Sequence, residues 1–433
     1  MLERDTEARF GAPSAGGGFA NQLSASQCGG LSGLSTREGG RRAVGALAVA
    51  RLIYAVNWLN LGALFALMGP ALGAGVSGLG EATAAFYLGL GVAQVPSGLA
   101  SARYGPKRPV FWGIVSASSA SAAVSVCGQL WQVAALRFVV GVGMAFVFSP
   151  MVVLVARYFG GARAGVGVGL FNAAFDVGGL LGLYVWIVVA TVTSWQFATV
   201  LGGMLGLATA AAVHLTVSPD SGSPHAVSAS ALRAILGDRQ LILLGVGTLG
   251  LSVGNTLVAS FMVYYLSQGL GVPLLLAGLA TSMVMVMPIG TSLWAGRVFD
   301  RSGRPRALML GSCAGMAIAV ALASMQSPLA SAAGAVVAGL SAGAGFTVAF
   351  AWARVLNRSG PEYEGLAVAW VDGISLTGAF VPPLVFSYVA GGYGYPAAWI
   401  AGAILCAALT VPLLFQHEGI PSRGGSRLSR PPS

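Results

Sequence analysis

Charge is scarce in this sequence: Asp, Glu, Lys and Arg make up only 8% of its 433 residues. Soluble domains carry about 25%, so a water-facing globular surface is excluded. Histidine is nearly missing, and His214, His225 and His417 all fall at the edges of apolar runs or in polar loops. The four cysteines, Cys28, Cys127, Cys313 and Cys406, share no spacing with a metal site. Three of them lie inside apolar runs, which favours reduced, packed thiols over a disulfide framework. No pattern for a cofactor or a metal is legible. The first charged residues are not followed by a short apolar core, so the start does not read as a signal peptide. Residues 1–44, rich in Gly and Ser, read as a disordered tail.

What the chain has instead is apolar length. Hydrophobic residues make up 56%, mean hydropathy is +0.79, and there are 64 glycines. Runs of about 20 apolar residues recur, the length that a hydrocarbon core demands. The expected spans are 47–70, 82–101, 109–128, 132–156, 165–190, 195–215, 241–267, 274–296, 307–325, 329–353, 365–390 and 396–415. A polar linker with Pro219 and Pro224 divides them into two sets of six. The domains expected are therefore 45–215 and 241–416, joined by 216–240 and followed by a tail at 417–433. A short amphipathic segment around Leu232–Leu236 is expected on the membrane surface.

The net charge of +10 invites a nucleic-acid partner, but no basic stripe with interleaved aromatics is present. Position gives the charge another meaning. With the N-terminus inside, all of the 23 Lys and Arg except Arg137 fall in the tails and alternate loops of one side, when residues up to Arg51 are assigned to the tail. The positive-inside rule then places both ends in the cytoplasm of a multi-pass cell-membrane protein. Trp131, Trp186, Trp195 and Trp399 fall near the outer ends, where an aromatic belt is expected.

One loop concentrates charge in an otherwise apolar chain. Gly296-Arg-Val-Phe-Asp300-Arg301-Ser-Gly303-Arg304-Pro-Arg306 holds four Arg and one Asp in eleven residues. It reads as a tight helix-to-helix turn at the headgroups, with Gly303 permitting the turn. A second copy lies 198 residues upstream: Gly98-Leu-Ala-Ser-Ala102-Arg103-Tyr-Gly105-Pro-Lys107-Arg108. In that copy Ala102 replaces the Asp. Gly141-Val-Gly143 and Gly343-Ala-Gly345 repeat at nearly the same offset, so the chain is an internal duplication. The loop resembles the G-x-x-x-D-R-x-G-R signature of the major facilitator superfamily, found between the second and third helices of each half. The resemblance implies an all-α integral membrane fold of twelve transmembrane helices in two pseudo-symmetric six-helix bundles.

Soluble-enzyme motifs are present and lack their context. Gly250-Leu-Ser252-Val-Gly254 and Gly339-Leu-Ser341-Ala-Gly343 match a nucleophile elbow, and Gly245-Val-Gly247-Thr-Leu-Gly250 a dinucleotide loop. All sit in apolar helical runs without the preceding strand. In a Gly-rich chain such matches arise by chance, and the glycines fit close helix packing better.

Ionisable residues inside spans are costly in hydrocarbon and so mark function. Three are deep: Arg137, Asp176 and Asp372. Arg137 opens Arg-x-x-x-Gly141-x-Gly143 on the fourth helix. This resembles the superfamily's second motif, tied to proton transfer or substrate contact; the bland alternative is an arginine snorkelling to the outer surface. Asp176 lies mid-span in the fifth helix with Asn172 one turn earlier on the same face. It either lines the cavity or, protonated, bonds a neighbouring helix. Asp372 aligns with Asn172 through the repeat and either lines the cavity or belongs to a gate. Asn57, Asn60, Asn255, Thr256, Tyr264 and Tyr265 are weaker pathway candidates, each open to being a plain inter-helix contact. At the gate, Asp300, flanked by Arg301 and Arg304, is expected to face the start of the fifth helix. Arg103, Lys107 and Arg108 are expected to meet Glu362 and Glu364, where Ser359-Gly-Pro361-Glu362 reads as a capping box on the eleventh helix.

The reading is a secondary transporter of a small solute by alternating access, coupled to a proton or ion gradient or acting as a uniporter. Arg137 tilts it towards a small organic anion. The partners expected are that solute, protons and the lipid bilayer, with the chain acting as a monomer. The alternatives are a multidrug or metabolite efflux antiporter, or a non-transporting receptor or scaffold on the same fold. The antiporter motif of the fifth helix is incomplete, since Leu183 stands at its proline position.

Overall fold

Runs this apolar satisfy their backbone in lipid only as helices or closed barrels. They fold as helices in the computed structural model, which describes residues 37–159, 164–218, 229–360 and 363–417. Among the described residues there is no strand. Twelve helical segments are long and apolar enough to cross a membrane. They are α1 (Gly40–Met68), α2 (Val76–Ser101), α3 (Lys107–Val126), α4 (Leu130–Val155), α5 (Leu170–Val192) and α6 (Trp195–Thr216). The second set is α7 (Arg239–Gly269), α8 (Leu274–Ser302), α9 (Pro305–Met325), α10 (Pro328–Leu356), α11 (Glu364–Tyr393) and α12 (Tyr395–Phe415).

Each set of six packs as one bundle, with α2 along α4 and α3 along α4 and α6. The second bundle repeats this with α8 along α10 and α9 along α10 and α12. The halves meet along three seams: α1 with α7, α2 with α11, and α5 with α8. Twelve crossings return both ends of the helical region to one face. The last turn of α8 and the loops after α2, α8 and α10 on that face carry Arg301, Arg103, Arg304 and Arg358, and it is called the basic face below.

The repeated loops are built alike. Gly303 (φ +59°) and Gly105 (φ +75°) end their helices in backbone that a Cβ would strain. Past each turn, a basic side chain caps the far end of its own bundle. Lys107 Nζ donates to the carbonyls of His214 (2.9 Å) and Val217 at the end of α6. Arg306 Nη2 donates to the Leu414 carbonyl at the end of α12. Cations at helix C-termini are favoured by the helix dipole. Lys107, expected at the gate, thus also fastens α3 to α6.

Other expectations change. The first helix begins at Arg37, ahead of the boundary expected at residue 45. The capping box expected ahead of α11 rests on Pro361 and Glu362, which lie outside the described residues; Glu364 opens the described helix, and the Ser359 N–H donates to Asn357 Oδ1 (3.1 Å) in a local turn. The aromatic belt reduces to Trp131, which is exposed. Trp186 is buried with its Nε1 donating to the Ala198 carbonyl (3.0 Å), and Trp399 packs against Tyr265 and Phe386. Trp195 is buried as well. Near a helix end, bundle packing outcompetes the headgroups for these rings. The linker segment Leu232–Leu236 lies on a short helix, Ala229–Leu236, with Ile235 buried.

Two spans are broken midway. In α5 the ladder widens to a π-turn at Leu181–Val185, and α11 divides between Gly378 and Val381. The breaks correspond through the repeat, and discontinuous helices flank the substrate site in transporters built from repeats.

Candidate transport pathway

Glycine rows show which end of the interface is shut. On α2, Gly80 lies against Ser387 and the Pro383 carbonyl of α11, and a Cβ added at Gly91 would stand 2.9 Å from Thr377 Cα. Gly98 lies eighteen residues, or five turns, beyond Gly80 and therefore on the same side of the helix. A Cβ there would meet nothing within 4 Å. The repeat reproduces the pattern on α8. A Cβ at Gly278 would stand 2.8 Å from the Leu183 carbonyl of α5, whereas one at Gly296, again eighteen residues on, would touch only Thr347 of its own bundle. Between α1 and α7, a Cβ added at Gly62 would stand 2.8 Å from the Ser260 carbonyl oxygen. The halves are therefore packed together away from the basic face and separated towards it.

The expected gate residues agree with an open basic face. Arg103, Arg108, Asp300, Arg301 and Arg304 are exposed, and Glu364 is half-buried. Among the described residues no ion pair joins any of these six. Glu362 lies outside the described residues.

Deeper in, the arginines are the informative groups. Arg137 does not snorkel. It is 3% exposed and reaches sideways to α1, where Nη1 donates to the Asn57 carbonyl and Nη2 to the Trp58 carbonyl, both at 3.0 Å. The Phe86 ring lies 4.6 Å beneath it. Both terminal nitrogens are therefore used in fastening α4 to α1. Beside it, a cavity of about 10 Å³ lined by Trp58, Gly62, Tyr87, Arg137 and Ser260 has room for about one water.

Arg51, assigned above to the tail, is inside the bundle. It lies eleven residues into α1, about 16 Å along the helix axis, and is 5% exposed. Four rings surround its guanidinium: Tyr54 at 4.6 Å, Phe148 at 4.9 Å, and Phe171 and Phe175 at 4.4 Å each. Its Nε and Nη1 are enclosed without an acceptor. Asp176 of α5 and Asp372 of α11 are both within Coulombic reach, yet neither comes within salt-bridge distance.

The two carboxylates arrive from opposite halves. Asn172, Asp176, Gly179 and Leu183 share one side of α5 by helical spacing. Gly179 and Leu183 on that side meet Met285 and Gly278 of α8, so Asp176 looks toward the second bundle. On α11, Asp372 shares a side with Leu376 and Ala379, which pack into the core of the first bundle. Asp372 is buried at the junction, and Asp176 and Asn172 are progressively more open.

The remaining polar candidates divide. Asn57 is committed to helix packing: Nδ2 donates to the Ile53 and Gly202 carbonyls, and Oδ1 accepts from Ser121 (2.9 Å) and Asn60 (3.5 Å). Asn60 belongs to the same knot. Tyr265 donates to the Ala323 carbonyl (2.8 Å) within its own half. Tyr264 crosses the seam edge-on to Phe65 (5.8 Å), Thr256 meets the Tyr87 hydroxyl, and Asn255 is half-buried on α7.

The Major Facilitator Superfamily profile matches residues 47–252 and again 244–431. The chain belongs to the major facilitator superfamily. No curated protein sequence matches it significantly. Solved structures share its fold at low identity. The nucleoside transporter NupG (D323A mutant) superposes with a TM-score of 0.72 at 12% identity, covering 86% of this chain and 99% of that one. A bacterial homologue of the human lysosomal transporter Spinster, inward-facing and occupied, gives 0.69 at 11%, with 88% and 97% covered. A POT family transporter in complex with 5-aminolevulinic acid gives 0.69 at 10%, with 86% and 95% covered.

Proposed function

We propose that this chain is a secondary transporter that moves a small solute by alternating access and couples the movement to protons. The observation that carries the coupling is the placement of Asp176 and Asp372, one from each half, at the mid-membrane junction beside Arg51. A carboxylate there gains or loses its charge as water reaches it from one face and then the other. Lys and Arg crowd one set of loops, which makes the basic face cytoplasmic, and the conformation described here inward-open. The pathway is contained within one chain, so a monomer suffices.

Stabilisation of the purified protein by small metabolites names the solute, and uptake into proteoliposomes tests the coupling. Asp176→Asn is expected to abolish uptake driven by a pH gradient while solute counterflow persists. Wild-type uptake by Asp176→Asn across pH makes the residue structural and overturns the coupling.

A further inference from the structure

Two buried arginines in this bundle each leave Nε without an acceptor, and they differ in what their terminal nitrogens do. Arg137 spends both terminal nitrogens on backbone carbonyls of α1, which is how an arginine fastens helices. Arg51 fastens no second helix in this way; the polar side chain beside it is Tyr54 of its own α1. The Arg51 Nε and Nη1 have no acceptor, although bringing a guanidinium out of water costs several kcal/mol when its donors stay unmade. The four rings hold the cation in place through their faces. They come from α1, α4 and α5 of one bundle, so the side chain is fixed within that bundle. Arg51 also lies three turns below Gly62, on the side of α1 that meets the second half. It therefore stands where the halves part towards the basic face.

We infer that Arg51 is the anchor for the solute, and that the solute is a small monocarboxylate with an apolar body. The inference rests on the transporter reading above and names the solute class of that same site. A planar guanidinium with unmade N–H bonds matches a carboxylate in charge and geometry. Asp176 and Asp372 limit the charge of the guest: the one cation offsets one carboxylate only while the acids beside it are protonated, and a second anionic group on the solute finds no positive partner. The rings of Tyr54, Phe171 and Phe175 offer the remainder of the solute an apolar bed. Arg137, with both terminal nitrogens engaged, is no competitor for the anion.

The test is binding, measured apart from transport. Purified protein is melted with lactate, butanoate or benzoate, and with benzamide and benzylamine as the neutral and cationic counterparts. At least one carboxylate is expected to raise the melting temperature of wild type, with no effect of the amide or amine. Arg51→Gln is expected to remove that shift, and Arg233→Gln on the linker helix to keep it. If Arg51→Gln does not fold, Arg51→Lys decides: it keeps the charge but loses the fork, and affinity is expected to fall about tenfold. The anchor is overturned if no carboxylate shifts wild type, if the amine does so instead, or if Arg51→Gln or Arg51→Lys binds as wild type does. Carboxylate binding without counterflow leaves the anchor standing and removes the transporter reading. Counterflow of an uncharged solute unchanged in Arg51→Gln removes the anchor alone.

Discussion

At the scale of residues, burial and unmade bonds separate structure from function better than residue type does. Arg137 carries two charge-assisted bonds to α1, so Arg137→Ala is expected to lower stability by about 2–3 kcal/mol. Arg137→Lys, able to make one such bond, should fall between. Chemical denaturation in detergent checks this, and unchanged stability of Arg137→Ala would return the residue to the pathway. The deep charges Arg137, Asp176 and Asp372 were legible because each interrupts a long apolar run. Arg51 was not, since it stands near the start of its run and was grouped with the basic tail. The available signal was Ala43–Ala50, an apolar stretch preceding it, which extends the helix back toward Arg37. Partnerships were beyond sequence altogether: nothing in the spacing distinguishes an arginine bonded to carbonyls from one held by four rings.

At the scale of elements, the span count and the repeat were readable because lipid admits only self-satisfied helices. Helix ends were less so. Ahead of α11, Asn357 takes the Ser359 N–H in a local turn that the sequence pattern did not announce. The loops on the basic face carry a further expectation. With this face open, no ion pair joins Arg103 to Glu364; closure should bring them together, bases on the loop after α2 against acids at the head of α11. Exposed pairs are worth only about 0–1 kcal/mol, so they bias the conformation without deciding stability. A cysteine pair made by Arg103→Cys and Glu364→Cys is expected to cross-link only when the basic face is closed. Glu364→Lys should increase the inward-open population in spin-label distance measurements, and Ala102→Asp should reproduce that shift. No change in population from either variant would sink the latch.

At the scale of the whole molecule, the eighteen-residue spacing of Gly80 with Gly98 and of Gly278 with Gly296 acts as a ruler along each seam. The upper mark of each pair is packed and the lower is free. Added bulk should therefore act in opposite senses at the two marks. Gly80→Val wedges α2 from α11 and is expected to populate the outward-open form, whereas Gly98→Val fits the present conformation and hinders its closing. Accessibility of single cysteines from the two sides of oriented vesicles reads both, and identical effects at the two marks would contradict rigid rocking. The cage around Arg51 adds a consequence to that motion. Its rings all belong to the first bundle, so the cation travels with that bundle, while Asp372 is carried by the other. Each swing thus alters how much negative charge stands beside a positive group that is fixed within its own bundle. The strength with which the carrier grips an anion becomes a mechanical quantity, tuned by posture, and half-saturation measured from the two sides of the membrane should differ for that reason.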